Sequence, residues 1–148
     1  MAKKILFVAS IGGHLVQLLR LKTLTDKYDS VLVTTKFVHE PNFDSSYVVP
    51  DINQQSSKLF MLKSLIKYIK IFFKEKPDVI ITTGALPGLV FVILAKLFFK
   101  KSIWIDSIAN AAELSKSGKI ASKYSTVCLS QWPDLSDGKV VKYIGKVI

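Results

Sequence analysis

The sequence has one cysteine, one arginine and no apolar run long enough to cross a bilayer, and each shortage excludes something. With Cys128 alone, neither an intrachain disulfide nor a multi-cysteine metal site can form. Its neighbours Thr126, Val127 and Leu129 read as a buried strand, which predicts an inert core thiol. Arg20 is the single arginine, so the bidentate guanidinium fork that nucleic-acid readers use on base edges is almost missing. The most apolar stretch, residues 86–99, contains Lys96 and falls short of the roughly 20 residues that a spanning helix needs. The N-terminus superficially mimics a signal peptide, but its apolar run Ile5 to Ala9 ends in a glycine turn. A first strand is expected there instead.

What is present is apolar and basic. Of 148 residues 49% are hydrophobic, and 21 Lys and Arg stand against 11 Asp and Glu, a formal net charge of +10. The length suits one domain, 1–148, able to bury a core without staples. The positive excess either serves solubility alone or meets an anionic partner, and its lysine bias favours a membrane surface over nucleic acid.

Short apolar runs alternate with helical patterns. Strands are expected at 4–9, 30–35, 47–49, 78–83, 102–106, 126–130 and 140–144. Helices are expected around Leu15, Leu18, Leu19 and Leu21, over 58–76 up to Pro77, and from Gly84 to about Lys100. Residues 39–57 and 107–122, rich in Ser, Asn, Gln, Pro, Lys or Gly, read as long loops. Strands apolar throughout belong to a mostly parallel sheet covered on both faces, which predicts a doubly wound, Rossmann-like α/β domain. In such sheets ligands bind beyond the carboxyl ends of the strands.

The 58–76 helix has an unusual surface. At 100° per residue, Lys63, Lys67, Lys70 and Lys74 fall in a stripe about 60° wide, and most of the remainder is apolar, including Phe72 and Phe73. Such a helix either buries its apolar side in a core or also docks on an anionic bilayer. The docking reading assigns that role to these four lysines and two phenylalanines.

Several polar residues follow the expected strands. Gly12-Gly13-His14 after the first is not a dinucleotide fingerprint, since the third glycine position is Val16 or Gln17. Two glycines do let a substrate approach the backbone, and a helix start behind them favours an anion. His14 there either donates to a diphosphate, acts as a base, or fixes the turn. Thr83 and Gly84 end the fourth strand in the same manner. Asp106 and Ser107 follow the fifth, where a carboxylate facing a cleft can take a proton from a sugar hydroxyl or can pin the next loop. Gln131 and Trp132 after the sixth offer an amide and an aromatic platform, or packing.

Taken in order, S-I-G-G-H-L, T-T-G-A-L-P, I-W-I-D-S, S-K-S-G-K, S-Q-W-P-D-L and Y-I-G-K-V-I resemble one family across essentially the whole chain. It is the membrane-associated subunit of the two-chain UDP-GlcNAc transferase of dolichol-linked oligosaccharide synthesis, with its bacterial capsular and exopolysaccharide relatives. The resemblance implies the N-terminal half of a GT-B enzyme, similar to the lipid II-forming GlcNAc transferase of peptidoglycan synthesis. A separate small protein would bind the UDP-sugar, and the acceptor would be a lipid-diphosphate-linked saccharide held near Gly12, Gly13 and His14. No cofactor and no obligatory metal are implied. Family members usually carry Glu at the position of Asp106 and often a basic residue at that of Asn110. Eukaryotic relatives have an N-terminal anchor absent from this sequence, so the resemblance is to the bacterial form, peripheral on the cytoplasmic face of the cell membrane. A self-sufficient nucleotide-binding enzyme on the same fold is the alternative. A nucleic-acid-binding module fits least, for want of an Arg-rich or aromatic-basic motif.

Overall fold

β-Branched and apolar runs form the sheet, as their composition dictates. A computed structural model describes residues 2–147. All seven strands pair in parallel, in the order β3-β2-β1-β4-β5-β6-β7. They are β1 Lys4–Ala9, β2 Asp29–Thr34, β3 Ser45–Val48, β4 Val79–Thr82, β5 Lys101–Ile105, β6 Val127–Leu129 and β7 Val141–Lys142. The helices are α1 Gly13–Leu19, α2 Lys58–Glu75, α3 Ala85–Leu97 and α4 Lys116–Tyr124.

Alternate residues of each central strand serve opposite faces. Leu6, Val8, Val31 and Ile80 pack with Tyr68, Ile71 and Phe72 of α2 and with Phe91 and Leu94 of α3. Ile5, Phe7, Leu32 and Ile81 pack on the other side with Leu15 and Leu18 of α1. The sheet is thus doubly wound and Rossmann-like. The chain leaves β1 toward β2 on one side and β4 toward β5 on the other, so the crevice between the ends of β1 and β4 is the topological switch point.

Four expectations need correction. Residues 107–122 are not one loop, because α4 begins within them: Ser115 caps its first turn, accepting from the Gly118 amide at 2.8 Å. Its polar composition hid it, since only Gly118 and Ala121 are buried and packing of Ala121 against the α3 side holds it. α3 stops at Leu97, short of Lys100, and β7 is two residues rather than five. Phe72, expected on a docking surface, is 3% exposed and belongs to the core, while its neighbour Phe73 is 47% exposed. One residue turns a helical side chain by 100°, enough to move it from solvent-facing to sheet-facing. Cys128 is a core thiol as expected, and burial pushes its pKa up to about 12.

Candidate functional site

The turns after β1 and β4 are joined reciprocally. The His14 Nδ1 lies 2.9 Å from the Thr83 carbonyl oxygen, and the Thr83 hydroxyl donates to the His14 carbonyl. A carbonyl can only accept, so Nδ1 carries the hydrogen and Nε2 is left as the uncommitted ring nitrogen. Gly84 makes this contact possible. Its φ is +127°, and a Cβ there would stand 2.8 Å from the imidazole, so any side chain would expel the ring. The next residue, Ala85, also has positive φ (68°), a conformation that costs a non-glycine residue about 1–2 kcal/mol. Strain of this kind collects where a local geometry is functionally required.

Beside His14 opens a pocket of about 300 Å³, lined also by Ala85, Ser107, Asn110, Ser115 and Lys116. Its walls are the first turns of α3 and α4, whose free N–H groups favour an anion, with the Lys116 ammonium adding positive charge. Gly12 and Gly13 have open space where side chains would stand.

Asp106 sits behind this pocket, 1% exposed. Oδ1 accepts from Trp104 Nε1 at 3.1 Å and from the Ser115 hydroxyl at 2.6 Å. Oδ2 accepts from the Ser115 amide at 2.9 Å and from Asn110 Nδ2 at 3.3 Å. Four donors occupy both oxygens, and none of their geometry leaves the carboxylate facing the pocket. Instead it ties the 107–114 loop to the start of α4. A Cβ on Gly118 would come within 2.5 Å of Oδ1, so that position must lack one for the turn to close on the carboxylate.

Gln131 is likewise enclosed, 1% exposed. Its Nε2 donates to Gln17 Oε1 and, at 3.0 Å, to the Asp106 carbonyl, and its Oε1 accepts from the Val147 amide at 2.8 Å. Trp132 Nε1 donates to the Ile108 carbonyl at 2.7 Å, and the Lys146 ammonium lies 4.2 Å from the centre of its ring system. Both residues support the loop from behind. The structure therefore brings His14, Thr83, Gly84 and Ser107 together at the pocket and sets Asp106, Gln131 and Trp132 in a layer beneath it. Sequence reasoning assigned no role to Gln17, to Asn110, or to Ser115, Lys116 and Gly118 of the S-K-S-G-K segment. A serine three residues before a glycine at a helix start was a usable signal for Ser115.

A second cavity also involves α3. Between α2 and α3 runs a wholly apolar groove of about 410 Å³, with Leu62 and Leu65 on one wall and Leu86, Val90 and Ile93 on the other. Of the first two residues of α3, Ala85 lines the polar pocket and Leu86 the apolar groove.

A profile of the oligosaccharide biosynthesis protein Alg14-like family matches residues 51–147. The chain belongs to the Alg14-like family. No curated protein sequence matches it. Among solved structures it is similar to MurG of Acinetobacter baumannii, with a TM-score of 0.76 at 12% identity over 99% of this chain and 46% of that one. It is also similar to UDP-N-acetylglucosamine 2-epimerase from Rickettsia bellii, TM-score 0.71 at 15% identity, covering 99% and 45%. Anabaena HepE in complex with UDP-glucose gives 0.63 at 14% identity, covering 97% and 43%. At such identities the likeness is one of fold, and the chain spans less than half the length of these structures. The Alg14-like chain thus has the fold of the N-terminal half of a GT-B glycosyltransferase and is a glycosyltransferase-related protein.

Proposed function

We propose that the chain is the acceptor-binding, membrane-docking subunit of a heteromeric inverting glycosyltransferase in bacterial capsule or exopolysaccharide synthesis. A separate GT-B half holds the UDP-sugar (GlcNAc or another hexose), and the acceptor is a lipid-diphosphate-linked saccharide. The observation that carries this reading is His14, with Nδ1–H engaged by Thr83 and Nε2 uncommitted at a polar pocket on the switch-point rim.

In this reading the acceptor hydroxyl oxygen attacks the anomeric carbon while its proton passes to His14 Nε2. The bond from that carbon to the UDP oxygen breaks, its electron pair leaves with UDP, and attack from the opposite side inverts the centre. A sugar hydroxyl needs such a proton acceptor, typically worth ~10²–10⁴ in rate. His14 takes this role in preference to Asp106, because the Asp106 carboxylate is enclosed and fully hydrogen-bonded. Asp106 is a positioning residue that holds the pocket wall. Gly12, Gly13 and Ser107 leave room for the acceptor, Thr83 and Gly84 orient the imidazole, and Gln131 and Trp132 brace the 107–114 loop. Lys116 and the first turn of α4 suit the acceptor diphosphate. The apolar groove that begins at Leu86 suits the first part of its lipid chain.

The separate donor-binding half is supported by membership of the Alg14-like family. No helix among the described residues is long and apolar enough to cross a membrane. Peripheral docking on the cytoplasmic face instead rests on α2, whose outer surface carries Leu59, Leu62, Ile66 and Phe73 beside Lys63, Lys67, Lys70 and Lys74.

Steady-state kinetics of the assembled complex test this. His14→Ala should lower kcat by ~10²–10⁴ with a smaller change in acceptor KM. The chain without its partner should show no turnover. Wild-type kcat in His14→Ala, or robust turnover by the isolated chain, would refute the reading.

A further inference from the structure

At the end of the strands opposite the site, α3 closes in a turn that is costly in backbone conformation. The Lys100 amide donates to the Ala95 carbonyl at 2.8 Å and the Phe99 amide to the Lys96 carbonyl at 3.4 Å. This is a Schellman-type ending, with Phe99 at the left-handed position, φ 56°. That position normally holds glycine, and a bulky side chain there is an outlier. Phe99 is also 96% exposed, so its ring contributes almost nothing to the core. An exposed aromatic side chain in a strained conformation points to a contact outside the chain.

The surroundings indicate its chemistry. Phe73, Leu97 and Phe98 are exposed around it by 43–63%, and the Phe73 and Phe98 rings lie 4.8 Å apart. Directly below, a cavity of about 440 Å³ is lined by Lys96, Phe99, Lys100, Lys101, Tyr124 and Ser125, among others. The Ser125 hydroxyl is buried without a hydrogen-bond partner among the described residues. Lys100 has only a marginal ion pair, its Nζ 4.0 Å from Asp78 Oδ1. An apolar projection next to three ammonium groups and an unsatisfied hydroxyl matches one ligand shape: an acyl chain carrying an anionic head.

We propose that the α3–β5 turn is an anionic-phospholipid site, in which Phe99 enters the acyl region and Lys96, Lys100, Lys101 and Ser125 hold the headgroup phosphate. It rests on the membrane-docking reading and extends the apolar stripe of α2, through Phe73, to a second anchor at the far end of the molecule. Interfacial aromatics flanked by lysine bind bilayers in this manner.

The test uses the full chain and co-sedimentation with phosphatidylcholine vesicles, with and without phosphatidylglycerol. Phe99→Gly should weaken binding to the anionic vesicles by roughly tenfold. The same change should raise Tm, because glycine suits the left-handed turn; a residue with a merely structural role would not move the two in opposite directions. Phe99→Asn, which also tolerates that conformation, serves as a second variant. The double variant Lys96→Gln, Lys101→Gln should lose binding only to vesicles containing phosphatidylglycerol. Unchanged vesicle binding by both Phe99 variants overturns the inference, as does loss of binding to the partner chain alone, which would assign the ring to a protein interface. If the wild type ignores anionic vesicles altogether, the docking reading falls with it. If Lys63→Glu, Lys67→Glu, Lys70→Glu, Lys74→Glu abolishes binding while Phe99→Gly retains it, only the present inference fails.

Discussion

The rim of the sheet and the outer face of α2 and α3 solve opposite problems. At the rim, polar side chains are enclosed and their hydrogen bonds are made: Asp106 has four donors, Gln131 three partners, and His14 and Thr83 engage each other's carbonyls. Along α2, Lys63, Lys67 and Lys70 make no ion pair among the described residues, and large apolar side chains stand beside them in solvent. A saturated buried network is rigid, because each partner lost leaves a group unsatisfied in a low-dielectric setting. Exposed lysines and apolar side chains carry no such constraint and suit a contact made elsewhere. The comparison teaches that hydrogen-bond saturation goes with burial at the rim, whereas groups with an open valence or an open face, His14 Nε2 and the α2 stripe, are the ones free to meet something outside the chain.

The largest effect separates two adjacent residues on the helical face. Phe72→Ala should destabilise the fold by about 3–5 kcal/mol, as for other buried aromatics. Phe73→Ala should cost less than about 1 kcal/mol and instead weaken vesicle binding. Thermal melts with co-sedimentation decide this, and equal stability losses would erase the distinction between core face and outer face.

Charge reversal of the lysine stripe comes next. With Lys63, Lys67, Lys70 and Lys74 changed to Glu, affinity for anionic vesicles should fall by about 1 kcal/mol for each neutralised lysine. Stability should change little, since exposed substitutions away from packed contacts cost within about 0.5 kcal/mol each. Undiminished sedimentation would make these lysines a solvated face only.

At the rim, Asp106→Asn and Gly118→Ala should each cost about 1–3 kcal/mol, the first by turning donors against an amide, the second by pushing a Cβ onto Oδ1. Both should also lower kcat of the complex while leaving the shape of its pH profile unchanged, as expected of residues that position the wall rather than accept the proton. A shifted pH profile in Asp106→Asn would return the carboxylate to the chemistry.

The smallest effect lies at the C-terminal end of α2, where Glu75 meets β1 and β3. Burial works against the charged form of Glu75, but hydrogen bonds from Tyr47 and Lys4 prevail and hold its carboxyl below the usual range. A lowered folded pKa means stability that is present above the ordinary glutamate range and lost as pH falls through the folded value. Glu75→Gln should therefore flatten the acid side of a Tm-against-pH curve, by about 1 kcal/mol or less. A curve superimposable on the wild type would show that this tie between α2 and β1 contributes nothing.

Much of this was legible in the residues. Apolar β-branched runs placed six strands to within a residue or two and their parallel sense followed from the lack of alternation. Gly12-Gly13-His14 and Thr83-Gly84 could be singled out because they follow strand ends, where a doubly wound sheet places its ligands. The lysine stripe was visible from spacing alone, because helical periodicity is local. Other features depended on tertiary placement. α4 forms because Ser115 caps it and Ala121 packs under α3. Phe72 and Phe73 are the same side chain until the sheet selects one face. Asp106 reads as a carboxylate facing a cleft; its partners Trp104, Asn110 and Ser115 are near it in sequence, but only the folded course of the loop turns them onto a buried carboxylate. Local propensity and periodicity thus determined which elements exist and which chemical groups stand at their ends. Tertiary packing decided which of those groups face solvent, because burial and hydrogen-bond saturation depend on neighbours that sequence order does not bring together.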